Sequence, residues 1–376
     1  MAKAQAFGAP PQTLQDKVAV IAARQSAFRE EVQRAQTSEG LTRQRLGVAL
    51  ASVLAEKAQA DLRAHDAQFA RYLDTLRGRF RPDRRNRLRR RIEQVLVRLG
   101  PIGHRCLLQW SGLIGPQSHG LLFDAQWYRR QYPDVSRSGL EPLVHYLVFG
   151  GDEGRSPHPL FDDAYYRTVA TDLGATGLTP LAHYERIGFA RGLSPHLLFD
   201  VKFYLAQAPD LAATGETPVH HYMRVGAARD LSPSRLFQPL FYKQQLAADE
   251  TIANPLLHYV EQGFARGLRP HPLFDPTWFK ATYPEVGARE PVSYFIRQNT
   301  HGPVDPSPWF DTAAYLRARG EGRLTRLDPL SDYLAGGAWI YPPPQHQAAA
   351  SAFAAAFPEV AAMGLTPLEH WAAGGS

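Results

Sequence analysis

The sequence predicts an all-α protein: a helical front region followed by an array of short helix-turn-helix repeats. Three observations carry this reading. From Phe123 onward, a pattern of Leu-Phe-Asp, an aromatic pair, Pro-Leu-x-His-Tyr and Gly recurs about every 38 residues, a repeat-array period. Within each recurrence a capping residue is followed by proline at a first helical position. Ahead of the repeats, apolar residues follow the spacing of helices rather than strands.

Residues 1–12 are small, apolar and proline-bearing, and are expected to be disordered. Helices are expected over 13–36 and 41–77, with a break at Ser38-Glu39-Gly40. Leu14, Val18, Ile21, Phe28 and Val32 form an apolar stripe on the first. Leu46, Leu50 and Val53 begin a stripe on the second, which resumes out of phase as Leu62, Phe69, Leu73 and Leu76. Residues 1–79 therefore read as a helical hairpin or short coiled coil, an oligomerisation or anchoring region. Gln25 and Lys57 interrupt the seam, so an oligomerising stalk and an intramolecular hairpin both stay open. Residues 80–119 read as a basic amphipathic helix and linker. Arginines 77, 79, 81, 84, 85, 87, 89, 90 and 91 lead into an apolar stripe of Leu88, Ile92, Val95, Leu96 and Leu99. Arg84, Arg85, Arg87, Arg89, Arg90 and Arg91 are the anchoring candidates; anionic lipid, nucleic acid and an acidic protein surface all suit them, and a purely solvated face is the remaining alternative.

Residues 120–376 read as seven repeat units, the last without a clear Phe-Asp start. Phe123, Phe161, Phe199, Phe237, Phe274 and Phe310 mark six beginnings. His145-Tyr146, His183-Tyr184, His221-Tyr222 and His258-Tyr259 keep step, and Ser293-Tyr294, Asp332-Tyr333 and His370-Trp371 are read as their later counterparts. In the unit from Phe161 to Ser194, Asp162 is a helix cap and Tyr165 and Tyr166 a bulky face. Thr179-Pro180 opens a second helix, with Leu181, Tyr184 and Ile187 on one side. Gly188 is expected in the left-handed conformation that ends helices. Neither helix is long enough to stand alone, so stacking on neighbours must bury the aromatics. A histidine recurring at one helix position is read as a packing or capping residue, and the recurrent Asp as a cap rather than an acid–base pair.

Composition narrows the function. Residues 1–119 hold 21 Lys and Arg against 10 Asp and Glu, a net +11; the whole chain is +6, which leaves −5 for the repeats. The repeats thus lack the basic stripe of a nucleic-acid platform, and no specific nucleic-acid partner is expected. One cysteine, Cys106, excludes an intrachain disulfide framework and a Cys-rich metal site; no metal or other cofactor is expected. No secretory signal and no run of about 18 apolar residues is found, so the expected site of synthesis is the cytoplasm, without exit by the general secretory route. No phosphate-cradling loop or nucleophile elbow is present, and the expectation is a protein that is not an enzyme.

The string Leu122-Phe123-Asp124, Tyr165-Tyr166, Pro133-Asp134-Val135, Pro142 to Tyr146 and Gly150 to Pro157 resembles repeats of bacterial surface-polysaccharide proteins, where they stand beside glycosyltransferase domains. A helical front followed only by such repeats is similar to the head spikes of gene transfer agents, phage-like particles of alphaproteobacteria, whose spikes engage the capsule of recipient cells. The resemblance covers residues 120–376, without a nucleotide-sugar domain. It implies binding of surface polysaccharide rather than transfer chemistry, with attachment to a particle or capsid protein through the front, as a homo-oligomer, and release within a phage-like particle. The alternatives are a polysaccharide-biosynthesis accessory factor at the inner membrane periphery and a protein-binding scaffold. Candidate sugar contacts fall where the pattern breaks: Trp339 and Tyr341 in one irregular turn, and His301 and Trp309 at the start of the sixth unit. Arg191, Arg229 and Arg266 occupy equivalent positions and would form a row, suited to an acidic polysaccharide or to pairing with repeat carboxylates.

Overall fold

The computed structural model describes residues 47–61, 63–64, 122–209, 211, 216–298, 302–320, 328–338, 355–357 and 366–372. Residues 47–61 are helical, within the helix expected over 41–77, and Leu54 on it is buried. The helix expected over 13–36 and the basic segment with Arg84, Arg85, Arg87, Arg89, Arg90 and Arg91 lie outside the described residues. Two compact units are present: residues 61–271 with 286–296, and residues 1–60 with 272–285 and 297–376. Among the described residues there are no strands, only isolated bridges between Ser234 and Phe237 and between Ser307 and Phe310.

Among the described residues, six repeats open on a short first helix and seven carry a second. The first helices are Ala125–Gln131, Asp163–Val169, Val201–Gln207, Pro239–Lys243, Pro276–Thr282 and Thr312–Arg319. Asp124, Asp162, Asp200, Asp275 and Asp311 cap them, each side chain accepting from an N–H of the first turn; Gln238 makes no such bond. The recurrent Asp is therefore a cap, and losing one costs about 1 kcal/mol. The second helices open at Pro142, Pro180, Pro218, Pro255, Pro291, Pro329 and Pro367. Glu141, Thr179, Thr217, Asn254 and Asp328 cap the N–H two residues beyond the proline. In the seventh repeat, Thr366 and Glu369 cap each other's backbone N–H groups.

The core of a repeat is a ring triplet. In the second repeat, Phe161, Tyr166 and Tyr184 are fully buried, with centroids 5.1, 5.8 and 5.9 Å apart. Phe199, Tyr204 and Tyr222 repeat it at 5.1, 5.7 and 5.8 Å, and Phe237, Tyr242 and Tyr259 at 5.3, 5.7 and 5.8 Å. Tilted and edge-on ring pairs of this kind add about 0.5–1.5 kcal/mol each beyond area burial. Two bonds set the step to the next repeat. The N–H of Asp124, Asp162, Asp200 and Gln238 donates to the carbonyl of Pro157, Pro195, Pro233 and Pro270, the proline ahead of the following Leu-Phe. The Tyr146 hydroxyl accepts from Leu181 N–H at 3.2 Å, and Tyr259 donates to the capping Glu290 at 2.7 Å. A His-Tyr tyrosine thus reaches the second-helix start of the following repeat.

Three expectations need correction. The second helix is not one regular α-helix: after four residues it widens into a five-residue π turn, Tyr146–Gly150, Tyr184–Gly188, Tyr222–Gly226, Tyr259–Gly263 and Tyr333–Gly337. The wider turn shifts the helical phase, so Leu181 and Tyr184 are buried but Ile187 only half-buried. Gly188 is not left-handed (φ −65°); that conformation falls at Gly192 (φ 70°), with Asp230 (φ 54°) at the same position one repeat later. Finally, the fifth-repeat register is one residue later than Ser293-Tyr294. Phe295, four residues after Pro291, is the fully buried ring, so Tyr294 stands in the histidine position.

Candidate functional site

Each π turn encloses a polar contact. The buried tyrosine of the first helix points its hydroxyl at the histidine of the second: Tyr128 to His145 Nδ1 at 3.2 Å, Tyr166 to His183 at 2.7 Å, Tyr204 to His221 at 2.6 Å, and Tyr242 to His258 at 2.6 Å. The oxygen also lies against the terminal glycine of the turn. A Cβ on Gly150, Gly188, Gly226 or Gly263 would meet it at 1.9–2.1 Å. The glycine is thus required by close approach, not by a special φ.

Beyond the histidine lies a carboxylate and then an arginine. His258 Nε2 donates to Glu250 at 3.2 Å, which fixes Nδ1 as the acceptor of the Tyr242 hydroxyl. Arg266 grips the same carboxylate at 2.5 and 2.9 Å. This arginine holds the Glu250 carboxyl down at about 2. In the second repeat, Asp172 lies 3.3 Å from His183 Nε2 and 2.6 Å from Arg191. Burial lowers the His183 pKa, opposed by Asp172, and raises that of Tyr166. A tyrosine–histidine–carboxylate chain has the parts of a proton relay. Its tyrosine is fully buried, however, so no substrate reaches the hydroxyl. The arrangement is a structural lock. In the sixth repeat Asp332 takes the histidine's place, accepting from Tyr315 at 2.6 Å and from Arg319 at 2.7 Å. In the fifth, Phe279 has no hydroxyl, Tyr294 replaces the histidine and Asn299 the glycine; here Pro291–Gln298 is plain α-helix.

The sequence-predicted contacts divide as follows. His301, Trp339 and Tyr341 lie outside the described residues. Trp309 stands where the other repeats have the buried Leu160, Leu198, Leu236 and Leu273, and is itself half-buried. Arg191 and Arg266 pair with Asp172 and Glu250, the structural alternative for that row; Arg229 is exposed.

A set of residues that sequence reasoning passed over is the outer member of each aromatic pair. Trp127, Tyr165, Phe203, Phe241 and Trp278 all stand four residues after the marker phenylalanine, and all are half-buried while the next ring is buried. The pair was visible in the sequence, but the division into inner and outer rings was not. Arg235 stacks 4.6 Å over Phe203 and Arg269 5.5 Å over Phe241. Trp127 and Trp278 meet Tyr132 and Tyr283 edge-on at 6.4 and 6.3 Å.

One polar pair breaks the repeat pattern, a buried His220 beside a Glu185 whose side chain is 11% exposed. Glu185 stands where other repeats have Leu147, Met223 and Val260, and His220 where they have Val144, Ala182 and Leu257. Glu185 Oε1 accepts from Leu122 N–H at 3.1 Å and lies 3.5 Å from His220 Nε2. Burial pushes the Glu185 carboxyl up to about 8. Among the described residues, no group of three or more His, Cys, Asp or Glu is placed to hold a metal, and no helix is long and apolar enough to cross a membrane. No protein-family model, curated protein or solved structure matches the chain.

Proposed function

We propose that the repeats are a non-enzymatic binding surface for bacterial cell-surface polysaccharide, held on a particle or partner by the front region as a homo-oligomer. The observation that carries this reading is the recurring outer ring within one compact unit: Trp127, Tyr165, Phe203 and Phe241 in four consecutive repeats. A pyranose ring has a flat C–H face that stacks on an aromatic ring, and a polysaccharide repeats that face along its length. A half-exposed ring recurring in consecutive repeats suits a repeating ligand better than a small one. Each contact is weak, and several in one chain, multiplied by several chains on a particle, turn weak contacts into avidity. The resemblance to surface-polysaccharide repeats and to head spikes points the same way, and the anchor would be the arginine-rich segment before residue 100.

The test is binding of the full-length protein to purified capsular polysaccharides. Binding is expected, and it should weaken when Trp127 and Phe203 are replaced by alanine while the thermal transition is retained. Absence of binding across a broad capsule set would reject the reading.

A further inference from the structure

Resting on that polysaccharide reading, we infer that the glycan held by the outer aromatic row is uncharged. An acidic polysaccharide needs cations that are available to it. Residues 120–376 carry a net −5, so their field opposes a polyanion. Several basic side chains of the repeats also face carboxylates of the same chain. Arg191 lies 2.6 Å from Asp172, Arg266 2.5 Å from Glu250, Arg224 2.7 Å from Glu216, and Lys243 2.5 Å from Asp230. The same holds beside the rings: Arg235, stacked over Phe203, is only 11% exposed and lies 3.0 Å from Asp200. Arg155, 4.9 Å over Tyr132, makes a two-point contact with Asp134 at 2.8 and 3.0 Å. An acidic sugar would have to share these cations with carboxylates that already offset their charge, in a field that is already negative. A neutral sugar needs no such exchange. It presents C–H faces to the rings and hydroxyls to the polar groups around them.

The experiment uses full-length protein in which Arg84, Arg85, Arg87, Arg89, Arg90 and Arg91 are glutamine, so that the front segment adds no attraction of its own. The probe is a panel of purified bacterial capsular polysaccharides, half uncharged and half rich in uronic or sialic acid. Affinity is measured in low and in high salt. The expected result is binding confined to uncharged members, changing less than about twofold with salt because no ion pairs form with the ligand. It should fall about tenfold in Tyr165→Ala and in Phe203→Ala, with the thermal transition of each variant showing that it is folded. Binding to acidic members that collapses in high salt would overturn the inference while leaving the polysaccharide reading intact. Binding to no member would overturn both.

Discussion

Replacing Gly188 with alanine tests the lock most sharply. The new Cβ would lie 1.9 Å from the Tyr166 hydroxyl oxygen and 3.1 Å from the ring carbon that bears it. Ordinary contact is about 3.5 Å, so the overlap with the oxygen is roughly 1.5 Å. The hydroxyl cannot simply swing away, because His183 Nδ1 holds it at 2.7 Å and the ring is fully buried. Overpacking of this kind costs about 1–3 kcal/mol. Forcing the hydroxyl off His183 adds about 1–2 kcal/mol for a buried polar group left unmatched. Gly188→Ala alone should therefore cost about 3–4 kcal/mol, and Tyr166→Phe alone about 2 kcal/mol. Phenylalanine removes the atom that the alanine strikes, so the double variant should cost about 2–3 kcal/mol rather than the sum. The fifth repeat already carries that combination, with Phe279 in the tyrosine position and Asn299 in the glycine position. Denaturant titration of the four proteins closes the cycle. Additive costs, or an alanine variant within about 0.5 kcal/mol of the parent, would refute the lock.

Further outcomes follow from the same geometry. His158 is buried among Asp124, His196 and His220, and burial pulls its pKa down to about 4. A base with a lowered folded-state pKa loses stability as pH falls from about 6.5 through that value, by roughly 3 kcal/mol in the limit. His158→Ser, the residue found at the equivalent Ser234 and Ser307, should flatten the thermal stability profile over that window. Glu185 has the opposite sign: an acid raised to about 8 loses stability as pH rises from about 4.5 through 8, because the buried carboxyl resists ionising. Glu185→Gln should keep the Leu122 bond and gain on the parent above pH 8, as read by melting in alkaline buffer. Asp200→Ala should cost about 1–2 kcal/mol in denaturant titration, since Asp200 caps a helix and holds Arg235. Replacing Arg89, Arg90 and Arg91 by glutamate should abolish flotation with anionic vesicles if the front segment binds lipid; unchanged flotation would exclude that role for it.

Much of the fold was legible because the repeat prints its own grammar. Asp162 and Thr179-Pro180 announce their helices through chemistry local to a few residues, and the structure finds both caps. The recurrence of His183 reads as packing or capping, and the residue is a partner of the buried Tyr166. What stayed hidden depends on contacts between distant positions. Gly188 looks like any helix-ending glycine until the Tyr166 hydroxyl, 22 residues earlier, is seen to occupy the Cβ position. The π turn is invisible because its inserted residue leaves the pattern of apolar letters intact. The fifth-repeat register slipped because Tyr294 was aligned with tyrosines that Phe295 replaces in the core. The outer rings were passed over because Tyr165 and Tyr166 carry the same letter, and only packing separates them.

The hydroxyl missing at Phe279 bears on how the molecule gives way under load. The first four repeats and the sixth each join a first-helix tyrosine hydroxyl to the second helix, a bond that Phe279 cannot make. Pulled from both ends, the chain should open at the Phe279 repeat before any of those five repeats, releasing a short length. A single-molecule extension trace with one early, small rip would display that weak link, and restoring a tyrosine–histidine–glycine set there should erase it.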